Sequence, residues 1–227
     1  MIDTLHKIGF YCGRTGDGFW GEPQNSLSNL AFIVAASAGF LVWRAPGNRD
    51  RFGLLLIGLV AAIGIGSFLF HSHPDGLTLQ FDLVPIQIYG LAAFFTLARG
   101  EFGLSFAKAV LAIIAFFLVR QGWLLLGPLL APRGFLGGAM SHIPTIILLI
   151  GCGLALHTRQ RPVGAYLLCA AGFYVAAIAA RSLDVPLCQR FPFGLHWLWH
   201  CLTAATAGTV LLGLVRHRRL AMNVVQS

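Results

Sequence analysis

The sequence predicts an all-α integral membrane bundle of seven transmembrane helices. Two observations carry that expectation. Of its 227 residues, 57% are hydrophobic and only 11% are Asp, Glu, Lys or Arg, and mean hydropathy is +0.76, whereas soluble domains hold roughly 25% charged residues. The apolar residues also gather into runs close to the ~20 residues that a spanning helix needs.

Read between polar or turn-forming breaks, the spans run from Ser26 to Trp43, Phe52 to His71, Leu77 to Leu97, Gly103 to Leu126, Gly134 to Leu156, Pro162 to Ala180 and Leu195 to Val215. The first two are parted by the basic stretch Arg44 to Arg51, and the next pair by the turn-like His73-Pro74-Asp75-Gly76. Arg99-Gly100-Glu101, Gly127-Pro128 through Pro132-Arg133, and Arg159-Gln160-Arg161 provide further breaks. Every loop is too short to fold by itself, so residues 1–227 read as one domain. It has a polar N-terminal segment 1–25, a bundle 26–215 and a basic cytoplasmic tail 216–227. The 27 Gly and 10 Pro fit membrane helices, which hold more of both than soluble ones. The N-terminus lacks a basic start followed by an apolar core, so a cleaved signal peptide is not expected.

The 16 Lys+Arg against 8 Asp+Glu give a net charge of +8. In a soluble chain this would suggest nucleic acid; in a membrane chain it sets topology, because Lys and Arg collect in cytoplasmic loops. With the N-terminus outside, the inner segments hold Arg44, Arg49, Arg51, Arg99, Arg159, Arg161, Arg216, Arg218 and Arg219, nine in all, against five outside: Lys7, Arg14, Arg133, Arg181 and Arg190. Lys108 and Arg120 lie in the fourth span, where they can snorkel to the interface. The expected arrangement is N-terminus outside and C-terminus cytoplasmic.

Ionisable groups within a bilayer are costly and are functional candidates by default. Three places hold them: Ser67 and His71 at the end of the second span, Asp82 in the third, and His196 and His200 at the start of the seventh. In the expected topology all lie at one depth, in the outer half of the bilayer. His196 and His200, four apart, share a helix face and can offer two imidazoles to one ion, as in helical zinc sites. A third His completes three protein ligands and leaves the fourth position to water, the pattern of a catalytic zinc. Such an ion lowers the pKa of its water and polarises a carbonyl, and Asp82 could orient that water and relay its proton. A proton or ion pathway and a buried structural network remain alternatives for the same residues. His73, His142, His157 and His217, each alone, read as interfacial or packing residues, and Trp20, Trp197 and Trp199 as an aromatic belt. Cys152 and Cys169 lie in apolar runs as small hydrophobes, while Cys12 and Cys188 lie in polar segments.

Three elements also resemble the alkaline ceramidase family, part of a wider group of seven-helix membrane hydrolases that includes adiponectin-receptor-type proteins. They are Glu22-Pro23-Gln24-Asn25-Ser26-Leu27-Ser28-Asn29; Gly64-Ile65-Gly66-Ser67-Phe68-Leu69-Phe70-His71 with Asp82 eleven residues on; and His196-x3-His200 followed by Gly208. The resemblance implies that His71, His196 and His200 bind zinc, that Asp82 transfers protons, and that Ser67 holds water or stabilises the oxyanion. The implied reaction is hydrolysis of the amide of ceramide or a related N-acyl lipid to a free fatty acid and an amine, the sphingoid base. It further implies a disulfide between Cys12 and Cys188. Animal members carry a calcium site with an acidic cluster around the first Cys; here Glu22 and Asp17 are the available carboxylates, but Gly13 stands where a Glu is expected. Calcium takes six to eight oxygen ligands, so calcium dependence should be weak or absent. The alternative class is a non-enzymatic seven-helix receptor or transporter using the His/Asp cluster.

Overall fold

Backbone N–H and C=O groups in lipid must be satisfied within the chain, which restricts spanning segments to helices or closed barrels. In the computed structural model, which describes residues 11–16, 18–45, 50–130 and 135–226, each long apolar run is helical. Seven helical stretches are long and apolar enough to cross a membrane, and there is no strand among the described residues.

The first span, Pro23–Trp43, consists of α1 (Pro23–Ser28) and α2 (Leu30–Trp43), parted at Asn29. Pro23 opens α1, where its missing N–H costs nothing. Helix α3 (Arg51–Ser72) starts at Asp50, whose carboxylate accepts from the N–H groups of Phe52 and Gly53. Helix α4 (Gly76–Gly100) starts at Asp75, which forms a reciprocal capping box with Thr78. Then follow α5 (Phe106–Leu130), a 3-10 helix (Phe135–His142), α6 (Ile143–His157), α7 (Val163–Asp184) and α8 (His196–Gln226).

The expected start of the fifth span, Gly134, lies outside the described residues; a 3-10 helix leads into α6, where Pro144 suits the first turn. Two boundaries differ from the sequence reading. The sixth span extends to Asp184, so Arg181 lies on a helix and not in a loop. The basic tail continues α8 as helix up to Gln226.

Helix α8 is the most enclosed span and packs against α2, α3 and α7. Val60, Leu156, Leu167, Leu211 and Leu214 are fully buried around it. Small residues let the backbones approach, as membrane helix packing requires: Gly208 of α8 lies against Ala35 of α2. Helix α5 instead turns Leu111, Leu118 and Leu125, seven apart, outward, a stripe suited to lipid.

Cys12 and Cys188 are joined by a disulfide, Cα–Cα 5.6 Å, tying the N-terminal segment to the loop between α7 and α8. Asp184 completes the tie by accepting from the backbone N–H groups of Cys12 (3.0 Å), Leu195 (2.6 Å) and His196 (3.1 Å). Gly194 permits this convergence: its φ is +68°, and a Cβ there would lie 2.5 Å from Asp184 Oδ1 and 2.8 Å from Cys12 Cβ. A side chain at that position would meet both backbone strain and a clash.

Candidate metal centre

The end of α3 and the start of α8 bring His71, His196 and His200 together. Each offers one ligand nitrogen, and these atoms lie within 4.8 Å of one another. All three imidazoles are buried, with ring centroids 4.6 to 5.2 Å apart. Asp184 fixes the first turn of α8, and hence both of its histidines, through the bonds described above.

The tautomers follow from the partners. His71 Nδ1 lies 2.7 Å from Glu22 Oε2; an ionised carboxylate only accepts, so Nδ1 carries a proton and Nε2 is the nitrogen left to face a metal. His200 Nδ1 lies 3.0 Å from the Asn25 carbonyl oxygen, which again only accepts, leaving Nε2 as the free donor atom. The same His200 nitrogen lies 2.8 Å from Ser28 Oγ, which itself donates to the Asn25 carbonyl. His196 Nδ1 is buried with no hydrogen-bond partner. Three imidazoles, two oriented by outer partners and one with an orphaned nitrogen, form a donor set that could hold a metal ion.

Glu22 is 1% exposed. Its Oε1 accepts from Arg14 Nε and Nη2, both at 2.7 Å, and its Oε2 from Asn25 Nδ2 at 2.9 Å as well as from His71. Burial alone would raise its pKa, but the bonds from His71 and Asn25 and the Arg14 charge hold it below the usual carboxylate value. Both Glu22 oxygens are thus met by protein donors. Asp17 lies outside the described residues.

Ser67 sits one turn before His71 on α3, and Asp82 on α4 faces it. The two helices cross at Gly66, where an added Cβ would collide with the Phe81 carbonyl oxygen. That close crossing lets the Ser67 hydroxyl approach the Asp82 carboxyl. Ser67, His71, Asp82, His196 and His200 all border one cavity of about 660 Å³, whose other walls include Leu83, Ile86, Leu97, Phe116 and Leu149.

The same cavity contains residues that sequence reasoning placed elsewhere. Trp199, expected in an aromatic belt, and His142, expected as a packing residue, both line it, as do Arg120 and Arg181, expected at the interface and in an outer loop. His142 Nδ1 and the Tyr174 hydroxyl are 2.6 Å apart. Tyr11, which the sequence did not single out, stacks on His196 with centroids 3.8 Å apart. Trp199 was detectable, since three residues after His196 it shares that histidine's face. Tyr11 owes its position to the adjacent Cys12 bridge, which no local pattern signals.

Fold and site together define a membrane protein of seven spans with a buried three-histidine centre on a lipid-sized apolar cavity. The sequence pattern of the Ceramidase family matches residues 18–223, most of the chain, and the chain belongs to that family. No individual curated protein matches it. Membership implies a membrane hydrolase that acts on amide bonds, with a ceramide-type lipid as substrate.

Proposed function

We propose that this protein is a zinc-dependent amidohydrolase that cleaves the amide of ceramide or a related N-acyl lipid to a fatty acid and an amine. One observation carries the reading: three buried imidazoles meet beside Asp82 in a cavity whose walls are mainly apolar. His71, His196 and His200 would hold the ion, with Glu22, Asn25 and Ser28 keeping two of the rings in the ligating tautomer. Zinc bound there supplies Lewis acidity, which polarises the amide carbonyl and acidifies water.

The remaining work falls to the chain. Asp82 accepts a proton from water as that water adds to the carbonyl carbon, then delivers it to the amide nitrogen as the C–N bond breaks. Ser67 orients the water or donates to the developing oxyanion. The apolar walls take the acyl chain and limit bulk water around the reacting carbonyl. We further place the N-terminus outside, the tail in the cytoplasm and the centre in the outer half of the bilayer, following the charge count. In that position the Cys12–Cys188 bridge faces a compartment that permits oxidation. Calcium has no part in this reading.

Metal analysis of protein purified without chelators, together with fatty-acid release from ceramide and from an N-acylethanolamine, tests the proposal. The expected result is about one zinc per chain and release from at least one lipid. Absence of zinc, or zinc with no release from either, would overturn it and favour a receptor or transporter.

A further inference from the structure

The wall of the cavity beyond Tyr11 has a chemistry that a neutral lipid does not use. Arg181 of α7 has a buried Nε with no hydrogen-bond partner. Its guanidinium carbon lies 5.9 Å from the Tyr11 ring centroid and 5.2 Å from that of Trp199. Arg120 of α5 borders the same cavity, and its hydrogen bond is a long one, 3.5 Å to the neighbouring Gln121. Among the described residues neither arginine has a carboxylate within 4.0 Å. Asp82 is the one carboxyl among the lining residues; it bonds Ser67, and although it feels the Arg181 charge it is not within ion-pair distance of that guanidinium. Asp184, three residues from Arg181, is committed to the N–H groups of Cys12, Leu195 and His196.

Guanidinium groups inside a membrane protein normally find a counter-charge, because an unpaired one loses its hydration without compensation. The faces of Tyr11 and Trp199 offset part of that loss, and the Tyr11 hydroxyl accepts a hydrogen bond from Arg181, but Nε keeps no partner. His142, Tyr174 and Gln121 add further polar groups around this end of the cavity. The position is informative as well. His196 stacks on Tyr11, and Arg181 lies over Tyr11, so the arginine is one ring removed from the histidine centre. A group there is set apart from the scissile amide but belongs to the same small molecule.

We propose that Arg181, with Arg120, binds an oxyanion on the amine side of the substrate, so that the preferred substrate is an acidic N-acyl lipid with a phosphate, sulfonate or carboxylate head group. This rests on the reading above, in which the amide carbonyl sits at the histidines. The product fatty acid is the other source of an anion, but its carboxylate forms at the histidines and not beyond Tyr11.

The test separates binding from turnover. Two lipid ureas that resist hydrolysis, of the same chain length, one ending in hydroxyethyl and the other in its phosphate ester, are titrated into the detergent-solubilised full-length protein, with tryptophan fluorescence as the readout. The phosphate-ended urea should bind about tenfold or more tightly than the neutral one. Arg181→Gln and Arg120→Gln should each draw that ratio toward one, and Arg181→Lys should keep part of it. Using a ratio cancels general losses, and zinc content with a monodisperse elution profile verifies each variant's fold. Equal affinities in the unaltered protein, or a ratio unmoved in Arg181→Gln, would overturn the proposal. So would competition by free fatty acid that depends on Arg181 while the phosphate-ended urea shows no such dependence, because the arginines would then serve the acyl product. Failure of hydrolysis alone leaves these affinities readable and counts only against the amidohydrolase reading.

Discussion

Replacing Glu22 with Gln tests how the histidine centre is held. Gln keeps the shape but has one accepting oxygen and one NH2 group. If its oxygen faced Arg14, the NH2 would point at two donors, Asn25 Nδ2 and His71 Nδ1, and His71 would have to move its proton to Nε2, the atom needed for the metal. If the oxygen faced His71 and Asn25, Arg14 would lose its acceptor; at 22% exposure the guanidinium can turn to water. The second arrangement therefore wins, and the ligating tautomer survives with a neutral bond in place of a charge-assisted one, about half as strong. Loss of such an outer partner costs roughly 10- to 100-fold in metal affinity, equivalent to about 1.4 to 2.7 kcal/mol. Competition with a fluorescent zinc chelator measures this directly. Arg14→Gln, which disturbs only the solvent side of the carboxylate, should cost less. Equal zinc affinity in Glu22→Gln and the unaltered protein would refute the argument that Glu22 orients His71.

Further outcomes follow from the same geometry. His200→Ala should strip zinc while the protein still inserts, and full zinc occupancy in that variant would remove His200 from the ligand set. Asp82→Asn should keep its metal and lose on the order of 100-fold in rate; near-normal turnover would assign the base elsewhere. Cys12→Ser should lower the thermal unfolding temperature, since closing a loop this long is worth about 5 kcal/mol on the chain-entropy account, and peptide mapping of non-reduced protein should recover the Cys12–Cys188 pair; both thiols alkylated would contradict it. A cysteine at Gly76, where an added Cβ meets nothing within 4 Å, should react with an impermeant reagent applied outside cells once native cysteines are removed, and labelling only from the cytoplasm would invert the topology. For pH, Asp75 is held below its ordinary pKa chiefly by the Thr78 N–H, so its cap stabilises the protein above the unfolded value of about 3.9 and weakens as pH falls through the lower folded value. The gap in unfolding temperature between the unaltered protein and Asp75→Ala should therefore narrow below about pH 4, and a gap that widens there would oppose this.

The spans were legible because their signal is local: apolar runs, the Asp75-Gly76 turn and the Arg-rich breaks each act within a few residues of chain. His196 and His200 were legible for the same reason, through their spacing. His71 and Asp82 needed one further step, since they share a depth only after the helices are oriented. The tether of His71 by Glu22 was not legible. It depends on α1 packing beside α3 across 49 residues of sequence, and in the sequence Glu22 read only as part of the first motif and as a carboxylate available to calcium. Arg181 was misplaced because its helix was ended at Ala180, four residues before Asp184; once the helix continues, its side chain reaches Tyr11 and Trp199. Such contacts arise from packing between elements, for which periodicity carries no signal.

The three histidines of the proposed metal centre are divided unequally along the chain, one on α3 and two on α8, with the last spanning helix contributing the pair. A polypeptide still being inserted, up to the end of α7, can present a single imidazole beside Asp82, too few for a zinc centre. On the proposed reading, hydrolytic capacity would arrive only with the last helix, when Asp184 and Gly194 set its first turn. An unfinished chain lying among amide-linked lipids would then leave them uncut.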